Sequence, residues 1–267
     1  MMYNFLNLFF NSKVFDFLPS ILVKKIFKIS KIFFCETNLQ ELPKNNHPLE
    51  IDYEKELKRF EIFSKNKIKP FISYSHLLDI LKIYSYENKK VIFYDFGGNT
   101  LELFCYLSDQ INNLEYYYYD QPENLFITKK IKNEKKLKKL NIDYQIDKVN
   151  NLDFLYFGSA IQYLHNYRSL LSFFFGKTKY IIIAQTPFFF NNENSKDLII
   201  KQLNLHPIIN YLYLINFYNF INFMKQNNYI LISKTFNRVI KFMNFKNFNK
   251  KYKELDMYDL IFKYDVK

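Results

Sequence analysis

The spacing of apolar residues changes character near residue 90. Upstream of it, apolar and charged positions recur at helical intervals with no strand alternation. Leu18, Ile21, Leu22, Ile26, Phe27 and Ile29 face away from Lys24, Lys25, Lys28 and Lys31, which predicts a helix over Phe15–Phe33. Such a helix fits packing on the rest of the chain, or resting on an anionic membrane surface. Glu36–Asp52, with Pro43 and Pro48, reads as a linker, and Tyr53–Tyr84 as two helices broken near Pro70. Downstream, short apolar runs alternate with helix-length stretches. Val91–Asp95, Tyr116–Asp120, Tyr144–Ile146, Asp153–Gly158 and Tyr180–Ala184 are expected strands. Helices are expected from Thr100 and over Asn124–Leu140 and Ile161–Phe174. A loop over Phe188–Asn210 leads to a helix ending at Gln226, and Tyr229–Phe236 and Tyr258–Tyr264 then form an antiparallel hairpin at one edge. Strands that are apolar throughout and separated by helices describe a mostly parallel sheet wrapped on both faces. The expected fold is α/β and doubly wound, with residues 1–88 a helical N-terminal segment and residues 89–267 a Rossmann-like domain.

Composition narrows the classes. With 49% apolar residues in 267, there is ample material for a core. The 31 Phe, 23 Tyr and abundant Ile, Asn and Lys all have AT-rich codons, so aromatic stripes and lysine runs carry less weight here than elsewhere. The formal charge of +12 points toward nucleic acid or anionic membrane, but coding drift accounts for it, and nucleic acid is not expected as a partner. Lys129, Lys130, Lys132, Lys135, Lys136, Lys138 and Lys139 read as a solvated helix face. Cys35 and Cys105 are too few for a disulfide framework, and His165 and His206 lack spaced partners, so no metal site is expected. Met1–Phe10 has no preceding basic region and no cleavage site after it, so no secretory signal is expected and the protein reads as cytoplasmic. Leu203–Met224 is long enough to span a bilayer, but its amides, with His206 and Pro207, fit a loop leading into a helix in water.

Two of only four glycines stand together in Asp95-Phe96-Gly97-Gly98, where the first predicted strand turns toward a helix. Glycine there lets a ligand approach bare backbone, with a helix N-terminus behind it. In a doubly wound sheet, ligands bind beyond the carboxyl ends of the strands. The strand-end residues are therefore the candidates: Asp95, Gly97 and Gly98, then Asp120 with Gln121, then Ser159, then Gln185 with Thr186. Asp120 lies 22 residues beyond Gly98 at the end of the second strand, which suits a carboxylate accepting from two ribose hydroxyls. Taken singly, an acid at a strand end also fits a helix cap, and a glycine pair also fits a plain turn. A dinucleotide needs G-x-G-x-x-G, which is absent, as is a phosphate-cradling GxxxxGK[ST]. S-adenosylmethionine suits an adjacent glycine pair behind an acid better, since no pyrophosphate has to be seated. Gln162 and Tyr163 follow the fourth strand and would line the acceptor side, although Tyr163 at the head of an apolar helix fits a core position equally well.

Four segments in this order resemble a bacterial family of class I S-adenosylmethionine-dependent methyltransferases. They are Tyr94-Asp95-Phe96-Gly97-Gly98, Tyr119-Asp120-Gln121-Pro122, Ser159-Ala160-Ile161-Gln162-Tyr163-Leu164 and Thr186-Pro187-Phe188. The similarity runs from about Ile92 to the C-terminus. It implies methyl transfer from S-adenosylmethionine to an acceptor, with a sugar or glycan intermediate suggested. Asp95 would orient the turn and the methionine end of the cofactor, Gly97 and Gly98 would permit close approach, and Asp120 would hold the ribose. Gln121 and Ser159 would complete the cofactor set, and Gln162, Tyr163, Gln185 and Thr186 would face the acceptor. The chain departs from the family pattern in three places. Leu101 stands where a further glycine is usual, and Ala184-Gln185 replace an acid-arginine pair. His206-Pro207-Ile208-Ile209-Asn210-Tyr211 replaces a Tyr-Pro-rich stretch. Leu101 would crowd the methionine part of the pocket, and the lost pair removes substrate-facing charge. An alternative is therefore a degenerate member serving as a binding or scaffold module at a membrane periphery.

Overall fold

The computed structural model describes residues 32–37, 39–43, 52–65, 72–98, 101–142, 150–191, 196–202, 210–236, 243–244 and 255–265. Its strands are β1 (Ile32–Glu36), β2 (Val91–Phe96), β3 (Leu114–Tyr119), β4 (Leu140–Ile142), β5 (Leu152–Gly158), β6 (Thr178–Phe189), β7 (Leu198–Gln202), β8 (Asn210–Asn216), β9 (Tyr229–Phe236), β10 (Met243–Asn244) and β11 (Asp256–Tyr264). The helices are α1 (Tyr53–Lys65), α2 (Ile72–Glu87), α3 (Glu102–Gln110), α4 (Pro122–Lys135), α5 (Tyr167–Phe174) and α6 (Phe217–Gln226), with a single 3-10 turn at Ile161–Tyr163.

The main sheet runs β4-β3-β2-β5-β6-β11-β9. Neighbours from β4 to β6 are parallel, and β11 lies antiparallel to both β6 and β9. Numbered among themselves in chain order, these strands stand as 3-2-1-4-5-7-6. This is the class I methyltransferase form of the Rossmann-like sheet, with the C-terminal antiparallel hairpin that the sequence leads one to expect. The hairpin is not simply appended, because β11 inserts between β6 and β9 and leaves β9 at the edge.

Alternation along the strands divides the core. Val91 and Phe93 of β2 face one apolar cluster, closed by Phe60 of α1, Leu77 and Leu81 of α2, Phe104 of α3 and Ile131 of α4. Tyr94 and Phe96 face the other, closed by Leu171 and Phe174 of α5 and Phe220 and Met224 of α6. Stacked rings run across the sheet, with Phe93 5.2 Å from Tyr116 and Phe154 4.9 Å from Tyr180. Truncating a fully buried ring such as Phe154 to alanine would cost roughly 3–5 kcal/mol. α1 is also tied to α4 through Lys135 Nζ, 2.9 Å from Glu61, and through the Tyr53 hydroxyl, which donates to Glu134.

Several elements differ from expectation. Ile32 and Phe33 are strand, not helix: they pair parallel with Met243 and Asn244 of β10, while Phe34–Glu36 of the same strand pair antiparallel with β7. The rest of the amphipathic segment expected over 15–33 lies outside the described residues, and so does His206. α4 ends at Lys135, where Lys136 turns left-handed (φ 53°), so the third parallel strand falls at Leu140–Ile142. The expected strand at 144–146 lies outside the described residues. The helix expected over Ile161–Phe174 is broken by an extended Leu164 (ψ 123°). β6 continues through Pro187, which is tolerated because pairing with β8 begins only at Phe188. Asn210–Asn216 is a strand: Leu212 and Leu214 alternate with Tyr211 and Tyr213 and pair with β7. β7, β8 and β1 thus form an annex joined to the carboxyl end of β6 through Phe188–Ile215 and Phe189–Asn216.

Among the described residues, no helix is long and apolar enough to cross a membrane. The lysines of α4 and the turn after it are partly structural: Lys139 donates to the carbonyls of Ser108 (2.8 Å) and Ile111 (3.0 Å) at the end of α3.

Candidate functional site

Strand register aligns the candidate residues on one edge. Phe96 pairs with both Tyr119 and Phe157, and Gly158 pairs with Ala184. The residues immediately beyond are Gly97 after β2, Asp120 after β3 and Ser159 after β5, with Gln185 next on β6. The chain winds in opposite directions from β2 toward β3 and toward β5, so this is the switch point where such sheets bind ligands.

Gly97 has φ +74°, and its N–H donates to the Tyr119 carbonyl at 2.8 Å. A Cβ at Gly97 would lie 2.7 Å from the Cβ of Ala160, so the turns after β2 and β5 touch. A Cβ at Gly98 would fall 2.5 Å from Asp95 Oδ2 and 2.6 Å from the Tyr118 ring. Both positions therefore exclude a side chain, and the second does so because the turn sits directly on Asp95.

Asp95 is 1% exposed, beneath the turn. The Tyr116 hydroxyl donates to its Oδ2, while Oδ1 has no hydrogen-bond partner among the described residues. Burial pushes its pKa up to about 7, with the Tyr116 hydrogen bond opposing and the Asp120 charge adding. Asp120 is half-buried at the edge. It accepts from the Tyr118 hydroxyl on Oδ2 at 3.0 Å and from the Gln121 N–H on Oδ1 at 2.7 Å. Gln121 is exposed just before α4. Beside Asp120 opens a groove of about 640 Å³ lined by Tyr119, Pro122, Leu125, Phe126 and Lys129.

On the other side, Ser159 and Gln185 both adopt left-handed backbone, with φ 56° and 52°. At Gln185 the register of β6 against β11 shifts, so that Asp259 opposes a bulge. The Asp259 carboxylate accepts from the Gln185 N–H at 2.7 Å. Gln162, 1% exposed, links the two strained turns: its amide donates to Ser159 Oγ (2.9 Å) and the Gln185 carbonyl (3.4 Å), and its oxygen accepts from Thr186 Oγ1 (3.3 Å). Strain held by such a network is characteristic of functional sites.

Asp95, Gly97, Gly98, Asp120, Gln121, Ser159, Gln162, Gln185 and Thr186 thus share one edge. Tyr163 turns elsewhere: its hydroxyl donates to Gln202 Oε1 at 3.0 Å, and its ring packs with Phe189, Ile200, Leu212 and Leu214 of the annex joint. Leu101 does not crowd the edge. It is buried among the residues of α1 and α4, near Phe60, Phe63 and Ile127, so the added side chain serves the packing of α1. Tyr116, Tyr118 and Asp259 were not identified as site residues from sequence. The first two are concealed in a run of four tyrosines, yet their period-two spacing sets both on the Asp95 face. Among the described residues, no group of three or more His, Cys, Asp or Glu side chains could hold a metal ion.

No family model matches the chain, and no curated protein matches its sequence. Solved structures are similar in fold. A 1,6-didemethyltoxoflavin-N1-methyltransferase from Burkholderia thailandensis, with bound 1,6-didemethyltoxoflavin and S-adenosylhomocysteine, is 9% identical. It covers 87% of this chain and 99% of its own, with a TM-score of 0.47. An S-adenosylmethionine-dependent methyltransferase from Clostridium acetobutylicum is 10% identical, covering 80% and 99%, with a TM-score of 0.49. A precorrin-6y C5,15-methyltransferase from Geobacter metallireducens is 9% identical, covering 74% and 93%, with a TM-score of 0.42. The fold assignment rests on the order and direction of the strands themselves.

Proposed function

We propose that this chain transfers a methyl group from S-adenosylmethionine to an acceptor bound beyond the carboxyl ends of β5 and β6. The observation that carries the reading is the meeting of the bare-backbone turn at Gly97-Gly98 with the Asp120 carboxylate, across the switch point of a 3-2-1-4-5-7-6 sheet. The residues present fit the cofactor. Asp120 is fixed from behind by Tyr118 and its own loop, and a carboxylate so oriented accepts hydrogen bonds from a pair of ribose hydroxyls. Gly97 and Gly98 allow main chain to approach the cofactor closely. Asp95 supports the turn from below instead of reaching past it, and its orphaned oxygen lies directly under the turn where the cofactor would approach.

The bound cofactor supplies a methyl group already activated by its sulfonium. The remaining work of the protein is to hold the acceptor in line and to exclude water. In this reading Ser159, Gln162, Gln185 and Thr186 shape the acceptor side through the strained turns they connect. The resemblance noted above points to a sugar or glycan intermediate as acceptor. A cofactor of cytoplasmic metabolism also suits a cytoplasmic protein.

A second reading, a methyltransferase fold kept as a binding module, is favoured by one observation. The amide of Gln162 is engaged at both ends within the protein, which leaves the acceptor side internally satisfied.

Calorimetric titration with S-adenosylhomocysteine, the product of methyl transfer, tests the first reading. Saturable binding is expected, weakened about tenfold to a hundredfold in Asp120→Ala by loss of charged hydrogen bonds, with a nearly unchanged Tm. Absence of binding by the folded chain, or unchanged binding by Asp120→Ala, overturns the assignment.

A further inference from the structure

Lys234 on the edge strand β9 holds its ammonium against three aromatic rings at once. Its Nζ lies 4.3 Å from the ring centre of Phe190, 4.7 Å from Phe217 and 4.9 Å from Tyr258. Those rings come from three separate elements: the residue after β6, the first turn of α6, and β11. They stand at angles to one another, with Phe190 4.5 Å from Phe217 and inclined by 30°, and 5.2 Å from Tyr258 and inclined by 69°. Phe190 and Phe217 are each only 8% exposed, so two walls are fixed by the core. Tyr218 and Phe236, which pack on Phe217 and Tyr258, are 42% and 45% exposed, so the arrangement opens to solvent.

In a chain with 31 Phe and 23 Tyr, a lysine beside one ring means little. Lys130 over Tyr53 and Lys177 over Phe173 are contacts of that ordinary kind. Convergence of three rings on one ammonium is different. Among the described residues Lys234 also has no carboxylate in salt-bridge range, whereas Lys90 and Lys179 each have one and Lys135 has two. The ammonium is accommodated by ring faces, whose quadrupoles attract cations.

We propose that Phe190, Phe217 and Tyr258 form a binding box for an organic ammonium ion of the quaternary or methylated class, with Lys234 as its resident occupant. A primary ammonium is strongly hydrated and gains little by entering such a box. A methylated ammonium sheds its weaker hydration more readily and sets methyl groups against the ring faces. Lys234 is exposed and carried by an edge strand, so it can yield the box to a ligand by swinging into water. The inference rests on the box alone and is independent of methyl transfer.

Titration with tetramethylammonium chloride, read from the NMR shift of its methyl signal against a sodium chloride control, is the test. Lys234→Gln empties the box and is expected to bind the probe about tenfold more tightly than the unmodified chain. Adding Tyr258→Leu is expected to remove about tenfold of that affinity, and adding Tyr258→Phe instead to preserve it. No saturable binding by a Lys234→Gln chain of unchanged Tm overturns the proposal. So does equal binding with and without Tyr258→Leu, or binding by the unmodified chain as tight as by Lys234→Gln. Should Tyr258→Leu fail to fold, the comparison of the unmodified chain with Lys234→Gln still decides whether the probe competes with Lys234, and equal affinities overturn the proposal.

Discussion

The adjacent strands β2 and β5 carry one buried acid at each end of the sheet, and the two are treated in opposite ways. At the amino end, the Asp153 carboxylate accepts from the Ile92 N–H at 2.8 Å, from the Tyr84 hydroxyl at 2.5 Å and from Lys179 Nζ at 2.9 Å. Every oxygen is used, and the ion pair ties α2, β2, β5 and β6 together. At the carboxyl end, Asp95 has one hydroxyl donor and an oxygen with no partner, beneath a turn with no room for a Cβ. The same end carries the left-handed Ser159 and Gln185. Stability is thus concentrated at one end of the strands, and its costs are accumulated at the other, where the ligand reading needs them.

Three substitutions test that contrast. Asp153→Ala should have the largest effect, because it strips a buried acceptor from three donors at once. A loss of about 3–5 kcal/mol is expected in urea unfolding followed by circular dichroism. Affinity for S-adenosylhomocysteine in the folded variant should stay within about twofold. A loss under about 1 kcal/mol would remove the amino-end half of the comparison.

Asp95→Asn comes next and is read against pH. Burial raises the Asp95 pKa from the usual 3.8 to about 7 in the folded chain. Below about pH 4 both folded and unfolded chains hold the proton, and the stabilising contribution is complete. As pH rises toward 7 the unfolded chain releases the proton first, so stability falls, and above about pH 7 the contribution is gone. The unmodified chain should therefore lose on the order of 2–4 kcal/mol across this window, and Asp95→Asn should lack that loss. Parallel stability-against-pH curves for the two chains would sink the account.

Lys179→Met is the smallest. Its side chain is 60% exposed, so the ion pair with Asp153 should contribute below about 1 kcal/mol despite its short distance. A larger loss would mean that the charge of the cluster, and not its hydrogen bonds to Tyr84 and Ile92, secures the amino end.

The central sheet was legible because strands buried on both faces leave continuous apolar runs, as in Tyr180–Ala184, and acids stand out where those runs stop. Asp95, Asp120 and the glycine pair were visible for that reason. The groups that hold the acids were not. Tyr116 and Tyr118 are chemically distinct from Tyr117 and Tyr119 only through which face they meet, and a run of four identical residues conceals that difference. Asp259 is one of two acids in β11, and its role at the Gln185 bulge exists only once β11 is seated beside β6. The annex was missed for a related reason. Tyr211–Ile215 is compatible with either period, and what decides for strand is pairing with β7, itself concealed in a stretch read as loop.

The seating of β11 also bears on how the molecule comes into being. Every neighbour of β11 precedes it in the chain, yet it lies between two of them. Until its residues have been made, β6 keeps an open edge along most of its length, and β9 has nothing to pair with. Growth of the polypeptide therefore cannot add β9 to this sheet before β11 exists, and the edge of β6 waits for β11, alone or as a hairpin with β9. At roughly 5–20 residues per second, the interval from β6 to β11 leaves that edge unprotected for several seconds during translation, which is a window for chaperones and for mispairing.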